Sequence, residues 1–347
     1  MYSVDKSGVK TIILNFYQQI EQALHLYQQA DVRLDTSRIR NIVYLGMGGS
    51  AIAGDLLYDV LFDELKVPLD VVRGYFAPAH CDENTLVIVS SYSGNTEETL
   101  SAVELAAQKN PQVVAITSGG QLAEKAQKQG WPTIRIPEGY PPRQALGFLF
   151  FPLYHMLGHA ELLLHYQQDL RSLIRYIKNE SKRYEYPKGS SHKLPLDLAH
   201  TFQNKIPLFY STAPYLRTVS RRWQNQMQEN AKSMAFSNVL PEMNHNEIVG
   251  WEQAADVIKE FVVVFLENEN PHPRIKKRIE LTQQIIRDRG VQVVDIYSKG
   301  DSMLERVFSL ILLGDWVSYY LALSYKKDPI KIANIDFLKK ELAKYNG

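Results

Sequence analysis

Between Asn41 and Pro137, short apolar runs rich in β-branched residues alternate with helical patterns. NIVYLG, PLDVVRGY, TLVIVSSYSG, QVVAITSGG and WPTIRIP predict five strands. Each is apolar enough to be covered on both faces, as in a parallel sheet. The intervening stretch from Asn95 carries Leu100, Val103 and Leu105 with Ala102, Ala106 and Ala107, consistent with a helix packed on that sheet. The repetition predicts a doubly wound α/β unit. From about Gln144 to Arg183 the pattern reads as helical throughout, and YPKGSSHKLP (Tyr186 to Pro195) then gathers proline, glycine and serine as a linker does. IPLFYS, FVVVFLE and VQVVDIYS resume the alternation, so a second, shorter α/β unit is expected.

Two apolar segments qualify that picture. Ala145 to Leu164, ALGFLFFPLYHMLGHAELLL, is long enough to span a bilayer but includes Pro152, His155, His159 and Glu161. Lipid offers those polar groups no partners, so a buried helix is expected there. SLILLGDWVSYYLALSY, from Ser309, is interrupted by Asp315 and is read the same way.

Composition narrows the function. The 347 residues are 45% hydrophobic and 22% charged, a globular balance able to bury a core. Thirty-nine Lys and Arg against 38 Asp and Glu leave a net charge of +1, which supplies no long-range field for nucleic acid or an anionic membrane. Neither is expected as a partner. The single cysteine, Cys81, cannot close an intrachain disulfide or form a paired-cysteine zinc site, and no signal peptide is apparent. A cytoplasmic location is expected.

The chemistry concentrates at strand ends. The first strand runs into GMGGSAIAGD (Gly46 to Asp55), where glycines let backbone N–H groups approach an anion at the start of a helix. Plain turn chemistry and a loose dinucleotide fingerprint are also compatible with it. A P-loop is not, because Asp55 stands where its lysine must be. The third strand ends in SSYSGNTEETL, which crowds Ser91, Ser93 and Thr96 around Gly94. Helix capping by Ser93 or Asn95 accounts for one hydroxyl but not for three. Two adjacent loops of this kind suit a compact phosphate, whereas a dinucleotide has no role for the second. The second strand ends Arg73, Gly74, Tyr75 without the acidic residue that NAD requires, although an arginine of the NADP type stays open.

GMGGSAIAGD with SYSGNTEET resembles the sugar isomerase (SIS) domain. RRWQNQMQENAKSMAF from Arg221, PEMNHNEIVGW from Pro241 and DPIKIANIDFLKKEL from Asp328 extend the likeness from about residue 40 to 343. Together they resemble the bifunctional phosphoglucose/phosphomannose isomerase family. The resemblance implies two flavodoxin-like, doubly wound SIS domains. The first covers residues 1–150 with an N-terminal helix, a helical connection and linker fills 151–195, and the second covers 196–347. It implies a phosphate grip at Gly48, Gly49, Ser50, Ser91, Ser93 and Thr96, a base at Glu229, a ring-opening His245, a C-terminal Lys339 and an arginine at Arg143. It also implies hexose 6-phosphate substrates, no cofactor or metal, and a homodimer in which His245 reaches the partner's site. The sequence departs from the family pattern at Ala53, Pro142 and Ile330, the last replacing a hydroxyl residue.

Aldose–ketose conversion needs ring opening, a base that moves a proton between C1 and C2, and a cation for the enediolate. His245, Glu229 and Arg143 are the residue types for it. By composition alone Glu229 reads as a surface carboxylate paired with Lys232 at i,i+3, and His245 as a structural histidine between two asparagines. A metal pair of His245 with Glu247 lacks further ligands. A non-catalytic SIS protein that senses a phosphosugar would keep the loops but would not need Glu229 and His245 together.

Overall fold

Five parallel strands, β1 (Asn41–Gly46), β2 (Leu69–Val72), β3 (Thr85–Ser90), β4 (Gln112–Thr117) and β5 (Thr133–Arg135), lie in the order β2-β1-β3-β4-β5. All the runs expected in the first half are present in this computed structural model, which describes residues 4–186, 193–252, 256–269 and 271–345. Every residue of β3 is buried, as a strand covered on both faces requires. The sheet splits between β1 and β3. Their register pairs the last residues, Gly46 with Ser90, so the loops that follow leave the sheet side by side. In open sheets of this order ligands bind at that switch point, beyond the carboxyl ends of the strands.

A second parallel sheet repeats the winding with β6 (Ile206–Thr212), β7 (Phe236–Leu240), β8 (Phe261–Glu267) and β9 (Gln292–Tyr297) in the order β7-β6-β8-β9. Strand β7 was not expected. Its sequence, FSNVL, is short and half polar because it is an edge strand with only Leu240 fully buried.

Twelve helices are present among the described residues. They are α1 (Val9–Leu14), α2 (Phe16–Gln29), α3 (Gly48–Val60), α4 (Glu97–Ala107), α5 (Gly120–Gln129), α6 (Leu146–His159), α7 (Arg171–Tyr184), α8 (Leu194–Phe202), α9 (Arg217–Gln226), α10 (Pro273–Arg287), α11 (Met303–Ser324) and α12 (Ala333–Leu342). The stretch from about Gln144 to Arg183, expected to be helical throughout, is interrupted between α6 and α7. There Leu163 leaves the helical path to bridge Leu65, with Lys66 N donating to the carbonyl of Leu162 and Leu164 N to that of Glu64. The linker at Tyr186 to Pro195 lies mostly outside the described residues, which omit 187–192.

Both long apolar segments are core helices. Twelve of the 14 residues of α6 are buried, Pro152 among them. His155, also buried, meets the hydroxyl of Tyr166 at 2.6 Å, and burial followed by the nearby His159 pushes its pKa down to about 4. Helix α11 opens with a capping box formed by Ser302 and Glu305. It is the one described helix long and apolar enough to cross a membrane, and it is enclosed by protein. A single apolar core joins Ile42 and Ile88 of the first sheet, through Phe150, Phe308 and Trp316, to Phe209 and Val264 of the second.

Candidate active site

Two loops meet where β1 and β3 end. Gly49 lies against the backbone of Pro142 and Arg143, where a Cβ would come within 2.9 Å of Arg143 N, so only glycine permits that approach. Gly94 has a φ of +70°, and a Cβ there would run into the Gly119 carbonyl oxygen more severely still. Ser50 Oγ accepts from Tyr92 N at 3.1 Å and ties the first loop to the second. The hydroxyls of Ser91 and Thr96 lie 2.9 Å apart, with Ser91 buried. Helix α4 begins at Glu97, so Thr96 occupies its N-cap position, yet no side chain caps the helix. Neither Ser93 nor Asn95 caps it: Ser93 Oγ accepts from Asn95 N at 3.3 Å, and Asn95 Oδ1 accepts from Gln121 N at 3.1 Å. The first amides of α4 are thus left without a side-chain cap. Asp55 pairs with Arg73, the residue considered for an NADP phosphate.

Arg143 occupies a 3-10 turn (Pro142–Gln144) that runs into α6. Gln19, buried on α2, fixes this junction by donating to Gln144 O at 2.8 Å and accepting from Gly147 N at 3.0 Å. The guanidinium is buried and almost fully engaged. Its Nε donates to Asn230 Oδ1 (2.8 Å), NH1 to Glu229 Oε2 (3.3 Å), and NH2 to the carbonyls of Pro329 (2.7 Å) and Ile330 (3.1 Å). Burial works against its charge, while Glu229 and Asp328 favour it. One N–H of NH1 is left over from these bonds.

Glu229 is held in a π-turn (Met227–Ala231) at the end of α9, a local widening common at functional sites. Behind it lies a buried polar network. Arg222 NH2 donates to both oxygens of Asp315 at 2.9 Å and to the Arg143 carbonyl at 3.1 Å. Gln226 Nε2 donates to Asp315 at 2.6 Å, and Asn230 Nδ2 to Ser318 Oγ at 3.0 Å. Burial raises the Asp315 pKa, and the contacts from Arg222 and Gln226 oppose the rise. Lys232 does not pair with the Glu229 carboxylate as an i,i+3 reading has it. Its Nζ donates to the Glu229 carbonyl at 3.0 Å instead.

Gly48, Gly49, Ser50, Ser91, Ser93, Thr96, Arg143 and Glu229 therefore belong to one connected region, linked through the contact of Gly49 with Arg143. His245 and Lys339 are not brought to it within one chain. His245 ends a 3-10 turn (Glu242–His245) after β7, exposed, and its side chain makes no hydrogen bond or ion pair among the described residues. Lys339 lies on α12, of which no residue is buried. Arg222, Asn230, Lys232, Asp315 and Ser318 were missed by sequence reasoning. The only signal was the oddity of Asp315 within an apolar run. The Ile330 departure matters less than a lost hydroxyl suggests, because that turn works through its carbonyls.

Comparison with known proteins places this geometry. Residues 37–138 match the SIS domain family, and residues 192–342 match the bacterial phospho-glucose isomerase C-terminal SIS domain. A bifunctional phosphoglucose/phosphomannose isomerase of Caldicellulosiruptor bescii is 40% identical over 95% of this chain and 98% of its own. One from Aquifex aeolicus is 34% identical over the same shares. In fold the chain is similar to tagatose-6-phosphate ketose/aldose isomerase from Escherichia coli, with a TM-score of 0.71 at 16% identity over 94% of this chain and 95% of that one.

Proposed function

The chain belongs to the bifunctional phosphoglucose/phosphomannose isomerase family, and from that premise we propose that it interconverts glucose 6-phosphate and mannose 6-phosphate with fructose 6-phosphate at one site. The phosphate rests on the backbone of Gly48 and Gly49 and on the hydroxyls of Ser50, Ser91, Ser93 and Thr96, at the N-terminal ends of α3 and α4, where helix dipoles favour an anion. His245 of the partner subunit moves a proton between O1 and the ring oxygen, which opens the ring. Glu229 removes the C2 proton from the open aldose to leave a cis-enediolate, the O2 proton passes to O1, and Glu229 returns its proton to C1, giving the ketose. The leftover N–H and the charge of Arg143 steady the developing enediolate oxygen. Lys339 supplies a second cation once α12 docks. Rotation about the C2–C3 bond before reprotonation presents either face of C2, so a single base serves both epimers.

The observation that carries this reading is the placement of Glu229. A carboxylate paired with a buried arginine, whose own backbone abuts the first phosphate loop, has what proton transfer between adjacent carbons of a phosphate-anchored sugar requires. Side chains supply every role, so no metal is called for. The test is a coupled assay of purified protein with fructose 6-phosphate that follows the two aldoses separately. Both should form, and EDTA should leave both rates unchanged. Formation of neither aldose, or zinc-restored activity after chelation, would overturn the proposal.

A further inference from the structure

Lys232 closes the turn that carries Glu229, and it does so in a left-handed backbone conformation, φ 58° and ψ 33°. For a residue with a Cβ that region is costly, and glycine would adopt it more cheaply. What the lysine adds is therefore its side chain. The ammonium turns back on the chain and shares its three N–H groups among four carbonyls, those of Glu229 (3.0 Å), Asn230 (3.1 Å), Asp328 (2.6 Å) and, most weakly, Pro329 (3.4 Å). Arg143 grips the same Asp328–Ile330 turn through the carbonyls of Pro329 and Ile330. Two cations thus clamp the start of the C-terminal segment to the π-turn of Glu229.

We propose that Lys232 is a positioning residue for the isomerisation, fixing the turn of Glu229 against the Asp328–Ile330 turn so that the carboxylate meets C1 and C2 of the sugar. This rests on Glu229 being the base. A π-turn is an uncommon stretch of backbone, and the carbonyls at a helix C-terminus lack intrahelical donors. Lys232 supplies donors to two of them. It does the same for a loop 96 residues away that leads into the helix bearing Lys339. Arg143 and Lys327 repel the ammonium, while Asp328 and Glu229 attract it. The residue as a whole is exposed, but desolvation of its ammonium among the carbonyls, reinforced by Arg143, brings its pKa down to about 8. As pH rises through that value the clamp loses its charge and one of its three N–H groups, and the base loses its fixed height.

The experiment uses the full-length chain with Lys232→Gly, Lys232→Met and Lys232→Arg, together with Glu229→Gln. A misplacement of about 1 Å at the reacting atoms costs up to roughly 100-fold. Lys232→Gly and Lys232→Met should therefore lose about 10- to 100-fold in kcat, with KM for fructose 6-phosphate shifted less than about threefold. Lys232→Gly should melt no lower than Lys232→Met, since its backbone is relaxed. Lys232→Arg should recover most of kcat, and the alkaline fall of kcat near pH 8 should move above about pH 9 because arginine stays charged. Full kcat in Lys232→Gly, or an unchanged alkaline limb in Lys232→Arg, would overturn the inference. An inactive Glu229→Gln beside a fully active Lys232→Gly would remove the positioning role alone, whereas an active Glu229→Gln would remove the base assignment itself.

Discussion

Each hydroxyl of the proposed phosphate grip has a different structural burden, which separates binding from folding. Ser93 is exposed and holds only the Asn95 N–H, whereas Ser50 satisfies the buried N–H of Tyr92. Removing a hydrogen bond to a charged group costs about 1.5 to 3 kcal/mol, so Ser93→Ala should weaken substrate binding roughly 10- to 150-fold with little change in melting temperature. Ser50→Ala should lower both affinity and stability, since it also orphans a buried donor. Equal melting temperatures for the two variants would contradict this division. The hydroxyls were legible in the sequence because loop chemistry is local, with glycine and serine crowded at strand ends. Arg222, Asn230 and Ser318 were not, because their partners lie 88 or 93 residues away along the chain. Nothing local distinguishes Arg222, buried on Asp315, from its exposed neighbour Arg221.

At the scale of elements, α11 is the support on which the site rests. Its apolar run was readable as a buried helix, but the role of Asp315 within it was not. That carboxylate anchors Arg222 and Gln226 beneath the turn of Glu229. Breaking a buried ion pair from one side leaves the other charge stranded, at about 3 to 5 kcal/mol. Asp315→Ala should lower the unfolding free energy by that amount in denaturant titration, and a loss under about 1 kcal/mol would mean that Arg222 finds water or another acceptor. Strand β7 escaped the sequence reading for an opposite reason. An edge strand buries little, so FSNVL carries no apolar run to betray it, yet it leads directly to His245. The break between α6 and α7 was hidden because LLL at 162–164 continues an apolar pattern although its backbone bonds to the Glu64–Lys66 segment instead of extending a helix.

For the molecule as a whole, the winding of both sheets followed from the alternation of short apolar runs and helical segments, whereas the continuous core joining them did not, because pattern cannot say which faces meet. A single chain also leaves apolar side chains exposed in the segments that carry His245 and Lys339. Met234, Phe236 and Val249 are exposed in the stretch of chain that carries His245, as are Ile335, Phe337, Leu338 and Leu342 on α12. The proposed homodimer with shared sites would cover such surface and bring His245 to a site. Subunits of inactive Glu229→Gln and inactive His245→Ala, when unfolded and reassembled together, should then regain activity, since each mixed dimer contains one intact site. No recovery from demonstrably mixed dimers would place His245 in its own subunit's site. The central claim, that one carboxylate carries the proton for both epimers, is tested most directly by measuring the rates of glucose 6-phosphate and mannose 6-phosphate formation from fructose 6-phosphate by Glu229→Gln. Both should fall together by at least roughly 100-fold while phosphate-ligand affinity holds; survival of either rate would contradict the single-site account.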